Sequence, residues 1–254
     1  MTIRLLPEFA VLFMLVFARV ATLVMLMPGI GERAILSRAR LGLGVLTTLI
    51  LVPIVKPMVS VAAIDIPIIL NLLFIELIIG GMIGISARLA LSALQTAGVI
   101  VANQLAMSYA QTIDPTQAGQ QNAVFGNFMS MLGVALIFAM DLHHIALTAI
   151  FDSYKMFAPG QMPLASDAST LVLNIISTAF KTGVQISAPF LVFGLVFNAG
   201  LGILARMMPA LQVFNLAMPA TMMIGTLIFI AIMGGMMSNF IKFMESTLTQ
   251  FLVR

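Results

Sequence analysis

Long uncharged stretches constrain the fold of this chain more than any other feature. Four of them lack Asp, Glu, Lys and Arg throughout, at residues 89–113, 115–140, 182–205 and 207–241. Each exceeds the roughly 20 residues that a helix needs to cross a hydrocarbon core of about 30 Å. Charged residues make up only 8% of the chain, against roughly 25% in soluble domains. The sequence therefore predicts an all-α integral membrane protein.

The rest of the composition argues against several functional classes. The chain has no cysteine, so disulfides, thiolate nucleophiles and cysteine metal sites are excluded. No long run of Lys or Arg indicates nucleic-acid binding. Serine is plentiful, but no base and orienting acid stand at readable positions beside one. We therefore predict a protein that is not an enzyme, with no catalytic residues and no cofactor.

Prolines, glycines and charged residues divide the chain into predicted helices. Pro28 and Gly29 end the first helix, and the last two helices form a hairpin around Arg206 and Pro209. The fifth is expected to bend because of its length. The predicted helices cover about residues 9–27, 39–55, 66–89, 91–107, 115–151, 169–207 and 211–249.

Between Gln104 and Asn122 the chain becomes polar while remaining almost uncharged. Asp114 is suited to cap a helix, Pro115 to occupy its first turn and Gln117 to close a capping box. The residues before Asp114 are then a loop or a frayed helix end between two apolar helices. The candidate residues of this polar segment are Met107, Ser108, Tyr109, Gln111, Thr112, Ile113, Asp114, Pro115 and Gln117.

Two interpretations of the polar segment remain open. Non-helical backbone at membrane depth is tolerated only where it is buried in protein or lines an aqueous cavity. On that interpretation the segment belongs to a pathway through the membrane. Its spacing is equally compatible with an ordinary solvent loop outside the membrane.

Several ionisable residues interrupt the apolar stretches, where such groups usually face a bundle interior or an aqueous space. They are Arg19, Glu76, Arg88, Asp141 and Arg206. We expect ion pairs, for example Arg19 or Arg88 with Glu76, in the same or a neighbouring subunit. A proton relay is less favoured, because Asp, Glu and His show no repeated spacing.

His143 and His144 are adjacent, so on a helix their side chains are expected to diverge. No cysteine or second histidine cluster completes a metal shell, and we predict no metal site. A structural histidine at a helix end is the favoured interpretation. Elsewhere, Gly80 and Gly84 allow close backbone approach between helices, and we expect them to pack against a neighbour.

One set of residues stands in a characteristic order along nearly the whole chain. In sequence order, these residues are Phe17, Arg19, Pro28, Arg38, Arg40, Pro53, Glu76, Gly80, Gly84, Ala97, Gly98, Asn103, Gln104, Asp114, Pro115, Phe138, His143, His144, Pro189, Gly202, Arg206, Pro209 and Phe214. Their order and spacing resemble those of the FliR family, whose members are flagellar export-gate subunits with relatives in virulence secretion.

The resemblance implies a specific architecture. Residues 1–167 would be a FliP-like helical part with a pore loop, and residues 168–254 a FliQ-like helical hairpin. Both would assemble with FliP-like and FliQ-like subunits. The polar segment would be the family's plug loop. Arg206, Pro209 and Gln212 would lie at the hairpin tip near the cytoplasmic entrance, where an FlhB-like partner closes the gate.

The implied function is that of a subunit of the flagellar type III protein export gate, in the bacterial inner membrane and flagellar basal body. Unfolded flagellar proteins would pass through the channel that it helps to form. The alternative is a small-solute membrane transporter, in which the polar segment interrupts a discontinuous helix and binds substrate. That alternative predicts internal inverted repeats, and the two halves of the chain show no such symmetry.

Overall fold

Helices account for the secondary structure of the chain wherever the computed structural model describes it, at residues 5–32, 35–58, 66–105, 118–157, 165–208 and 213–253. A short 3-10 turn, Lys56–Met58, follows the second helix. The predicted all-α fold is confirmed. The α-helices are α1 Leu5–Leu26, α2 Ser37–Val55, α3 Ile66–Gln104, α4 Ala118–Ala139, α5 Leu142–Met156, α6 Ala165–Met207 and α7 Val213–Thr249.

Five of these helices, α1, α2, α3, α6 and α7, are long and apolar enough to cross a membrane. The pair α4 and α5 meets the same criterion together, but it bends by 70° between the two helices. The expected bend is therefore present, and it falls at Met140 and Asp141. At 1.5 Å per residue, the 39 residues of α3 extend roughly 58 Å, well beyond a hydrocarbon core of about 30 Å.

One predicted boundary is wrong. We expected separate helices before and after Ala90, whereas α3 runs without interruption from Ile66 to Gln104. Arg88 is the one charged residue close to the predicted break, but its side chain is exposed and arginine is a good helix former. No proline or turn residue lies nearby to end the helix. A single charge on the outer face therefore leaves the hydrogen-bond ladder intact.

The chain forms two compact units, each assembled from separate segments. The first unit contains residues 1–90, 137–176 and 244–254. In its core, Val16 and Leu23 of α1 are buried, as are Ile79 and Ile83 of α3. The apolar faces of these two helices supply much of the interior, and side chains of α2, α5 and the end of α7 supply the rest.

The second unit contains residues 91–136 and 177–243. Aromatic side chains hold α4, α6 and α7 together in its core. The ring of Phe229 lies 5.3 Å from that of Phe125 and 6.1 Å from that of Phe190. Phe190 and Phe240 are fully buried. The outer faces of α6 and α7 remain apolar and exposed, with Leu195, Val196, Met223, Leu227 and Ile230 all more than half accessible.

Candidate functional site

The polar segment joins the end of α3 to the start of α4. Residues 106–117, which include every candidate residue from Met107 to Gln117, lie outside the described part of the chain. Their predicted roles therefore stay predictions. The helices on either side are described, and they determine where the segment begins and what it connects.

Gly98 of α3 and Gly126 of α4 bring these two helices into backbone contact. A Cβ atom added at Gly98 would overlap the backbone of Gly126, and its distance to the carbonyl carbon of Phe125 would be only 2.8 Å. Such close approach is what small residues provide at helix contacts in membranes. The polar segment therefore connects two helices that are already joined within the second unit.

The last turn of α3 is held by two further glycines. The side chain of Gln104 occupies the space beside Gly194 of α6, and Leu105 occupies the space beside Gly225 of α7. Leu105 is 1% exposed. Any side chain at either glycine would displace these residues. The polar segment thus leaves the helix from a fixed position.

A separate polar cluster lies in the interior of the first unit, centred on Arg19 of α1. Arg19 is fully buried. Its Nε donates to Oε2 of Glu76 on α3 at 2.5 Å, and its Nη1 donates to Oγ of Ser153 on α5 at 2.8 Å. One guanidinium group therefore connects three helices. The sequence analysis expected Arg19 or Arg88 to pair with Glu76, and Arg19 is the partner.

Two members of this cluster were missed from the sequence. Tyr154 places its ring 3.8 Å below the guanidinium carbon of Arg19, a cation–π contact that is stronger where water is excluded. Ser153 accepts from Arg19 and donates its own proton to the carbonyl of Ile150 at 2.6 Å. A tyrosine in a chain that has only two was the available signal. The serine proton is committed to the backbone, so Ser153 serves Arg19 as an acceptor.

The cluster leaves some hydrogen-bonding capacity unused. Arg19 Nη2, Glu76 Oε1 and the Tyr154 hydroxyl are buried and have no partner among the described residues. Removing one member of a buried ion pair is costly, because the other charge stays buried without compensation. The three helices therefore depend on Arg19 and Glu76 being present together.

Gly80 and Gly84 face α1 of the same chain. A Cβ atom at Gly80 would overlap the carbonyl oxygen of Arg19, and one at Gly84 would come within 2.6 Å of the Cβ atom of Leu26. Both glycines therefore pack closely against a helix of the same chain, and their predicted packing against another subunit stays a prediction. The glycines allow α1 to lie close enough for Arg19 to reach Glu76.

The remaining candidate residues lie elsewhere. Arg88 is exposed on α3 and forms no ion pair with a described residue. Arg206 is exposed in the last turn of α6, where a positive charge is favourable at the helix C-terminus. Pro209 and Gln212 lie outside the described residues, so the hairpin tip is described only up to Met208.

Comparison with known proteins finds similarity over most of the chain. Residues 10–247 match the family model described as bacterial export proteins, family 1. The flagellar biosynthetic protein FliR of Caulobacter vibrioides is 41% identical over 83% of this chain and 84% of its own length. The FliR protein of Escherichia coli is 30% identical over 85% and 81%. The Yop proteins translocation protein T of Yersinia pestis is 29% identical over 66% and 65%.

Proposed function

The chain belongs to the FliR family of bacterial export proteins, and from this membership we propose that it is the FliR-like subunit of a flagellar protein export gate. At the coarser level, it is a membrane component of a type III export apparatus used in flagellar biosynthesis. The observation that carries this assignment is the family match across residues 10–247. The family is a structural component of that apparatus, and we assign the chain no catalytic role.

The finer proposal is that the chain builds the secretion channel with FliP-like and FliQ-like subunits in the bacterial inner membrane. The exposed apolar faces of α6 and α7 support it, because surfaces of this kind are covered by lipid or by other subunits. In this assembly residues 1–167 serve as the FliP-like part and residues 168–254 as the FliQ-like hairpin. Unfolded flagellar proteins are the cargo.

We assign the seal of this channel to the polar segment. Residues 108–113 of the segment carry neutral hydroxyl and amide groups, which offer hydrogen bonds without a charge that would retain cargo. Support comes from its ends, since α3 and α4 touch at Gly98 and Gly126 and the last turn of α3 is wedged beside Gly194 and Gly225. A plug needs flanking helices that stay together, and the contact between α3 and α4 meets this need. The hairpin tip, with Arg206, Pro209 and Gln212, is the proposed contact for an FlhB-like partner.

Deleting Ser108 to Thr112 tests the plug. With the seal shortened, ion conductance of the purified export complex in proteoliposomes should rise several-fold, while the complex still assembles. The matched control deletes five residues, Pro159 to Pro163, from the segment between α5 and α6, and should leave conductance at the wild-type level.

Unchanged conductance in a correctly assembled Ser108–Thr112 deletion would remove the plug assignment. If the deletion prevents assembly, replacing Tyr109 and Gln111 by glycine keeps the length of the segment while removing its larger polar side chains. Conductance equal to wild type in that variant would have the same meaning.

A further inference from the structure

We propose that Asp141, His143 and His144 form a binding site for a divalent transition-metal ion such as Zn²⁺. The three residues lie where α4 ends and α5 begins, inside the first unit. One ligand atom from each residue lies within 4.8 Å of the others. Two imidazoles and a carboxylate are donors that zinc accepts, and three protein ligands leave a fourth position for water.

The closest donor pair has the spacing that a bound zinc ion requires. Oδ1 of Asp141 and Nδ1 of His144 are 3.4 Å apart. In a tetrahedral site with bonds of about 2.0–2.1 Å, neighbouring ligand atoms are separated by roughly 3.4 Å. The third donor, on His143, lies within 4.8 Å of both.

The two histidine rings do not diverge as the sequence analysis expected. Their centroids are 4.1 Å apart and their planes differ by 38°. Adjacent Cβ atoms on a helix point in different directions, but each imidazole is long enough to turn back toward the other. The ring of His143 also packs against Phe138, with centroids 5.1 Å apart, which holds it in place.

The backbone conformation of Asp141 allows its carboxylate to serve as the ligand beside the two histidines. Its φ of 57° is the one positive value found for a non-glycine residue in the described ranges, and aspartate tolerates this left-handed region better than most residues. Although Asp141 occupies the N-cap position of α5, its carboxylate makes no capping hydrogen bond. The Asp141 carbonyl accepts from the amide of His144 at 3.0 Å. The carboxylate is therefore free to face the histidines.

An unsatisfied nitrogen adds a second, independent observation. Nδ1 of His143 is buried and has no hydrogen-bond partner among the described residues. Buried polar atoms without a partner call for an explanation such as an ion or water. The other two side chains are open to solvent, at 67% exposed for His144 and 74% for Asp141, so an ion can enter from solution.

Zinc binding to the purified export complex tests the site. The complex is isolated without a polyhistidine tag, stripped with a chelator and titrated with Zn²⁺ at pH 8, since metal binding competes with protons for its ligands. We expect the wild-type complex to bind one zinc ion per copy of this chain. A His143→Gln/His144→Gln variant, which lacks both histidines of the chain, should not bind this ion. Asp141→Asn should lower the affinity of the chain for this zinc ion by about tenfold or more.

Asp167→Asn is the matched control, because it removes an exposed carboxylate at the start of another helix, α6. It should bind zinc as the wild type does. Co²⁺ provides a second measurement, since a tetrahedral site gives visible absorption that the double histidine variant should lose. Equal zinc content and affinity in the wild type and that variant would overturn the proposal. Unchanged affinity in Asp141→Asn would overturn the three-ligand site.

Discussion

At the scale of single residues, Arg19 is the side chain on which the first unit depends most. A guanidinium group is planar and offers several donors in a rigid fork, and its face stacks on aromatic rings. Arg19 uses these properties together, with Glu76 and Ser153 as acceptors and Tyr154 beneath it. A lysine could supply the charge but not this set of contacts.

Arg19→Met should destabilise the protein by about 3–5 kcal/mol, because Glu76 is then left as an uncompensated buried charge. We would measure the free energy of unfolding in mixed detergent micelles, together with the amount of chain recovered in membranes. Arg88→Met is the matched control, since Arg88 is exposed on α3. It should change the unfolding free energy by less than about 0.5 kcal/mol.

The double variant Arg19→Met/Glu76→Met separates the ion pair from simple loss of packing. With both charges removed, most of the lost stability should return, because apolar replacement of a buried pair is often neutral or favourable. A double variant as unstable as Arg19→Met alone would contradict this account of the cluster.

At the scale of helices, the glycines of α3 differ in how closely they allow α1 to approach. Gly80 faces the backbone of Arg19, where there is no room for a Cβ atom, whereas a Cβ at Gly81 would sit 3.7 Å from Thr22 Cγ2 in ordinary contact. Neighbouring glycines in the same helical turn therefore have different tolerance for a methyl group.

Gly80→Ala should lower the unfolding free energy by about 1–3 kcal/mol, because α1 must move away and strain the Arg19 cluster. Gly81→Ala should be neutral or raise it by up to about 1 kcal/mol, since alanine favours the helix over glycine. The two variants are compared by the same detergent unfolding measurement. Equal effects from both would show that α1 does not pack closely at Gly80.

At the scale of the whole molecule, the exposed apolar surface requires partners or lipid. Leu195 and Met223 on the last two helices are among many large side chains that this chain alone does not cover. Proteins that expose large apolar patches use them for interaction. Family membership implies work with other export components, and the channel proposal names them as FliP-like and FliQ-like subunits.

Mass measurement of the particle extracted in mild detergent tests that assembly. Expressed with its neighbouring export components, the chain should be recovered in a particle that contains several different subunits. A single chain or a homodimer under the same conditions would favour the transporter alternative. The measurement separates these alternatives clearly, because their masses differ widely.

The helices were largely predictable from the sequence, since their limits follow from local signals. The predicted ends of α1, α2, α6 and α7 lie within about four residues of those observed, and α1 and α6 both begin earlier than predicted. Pro28 ends the helix next to it, and each uncharged run favours a helix through its own composition and length. The predicted division at Ala90 is wrong, because Arg88, the charge beside it, reaches the surface and does not end the helix.

The polar cluster was only partly predictable. Arg19 and Glu76 stood out because charges are rare in this chain, and pairing is the common outcome for such residues. Tyr154 is one of only two tyrosines, a weaker signal, and Ser153 gave none because serine is common in this chain. The Asp141 carboxylate escaped prediction as a ligand because its left-handed backbone depends on the bend between α4 and α5.

The sequence by itself determined that this chain is a helical membrane protein, because the transfer of an uncharged run of side chains into an apolar phase depends on composition and length along the chain. Only the tertiary structure decided which charge pairs with which, and where a glycine is indispensable. Arg19 meets residues 57 and 134 positions away. Such contacts depend on the register and the distance between packed helices. No local stretch of sequence determines either of them.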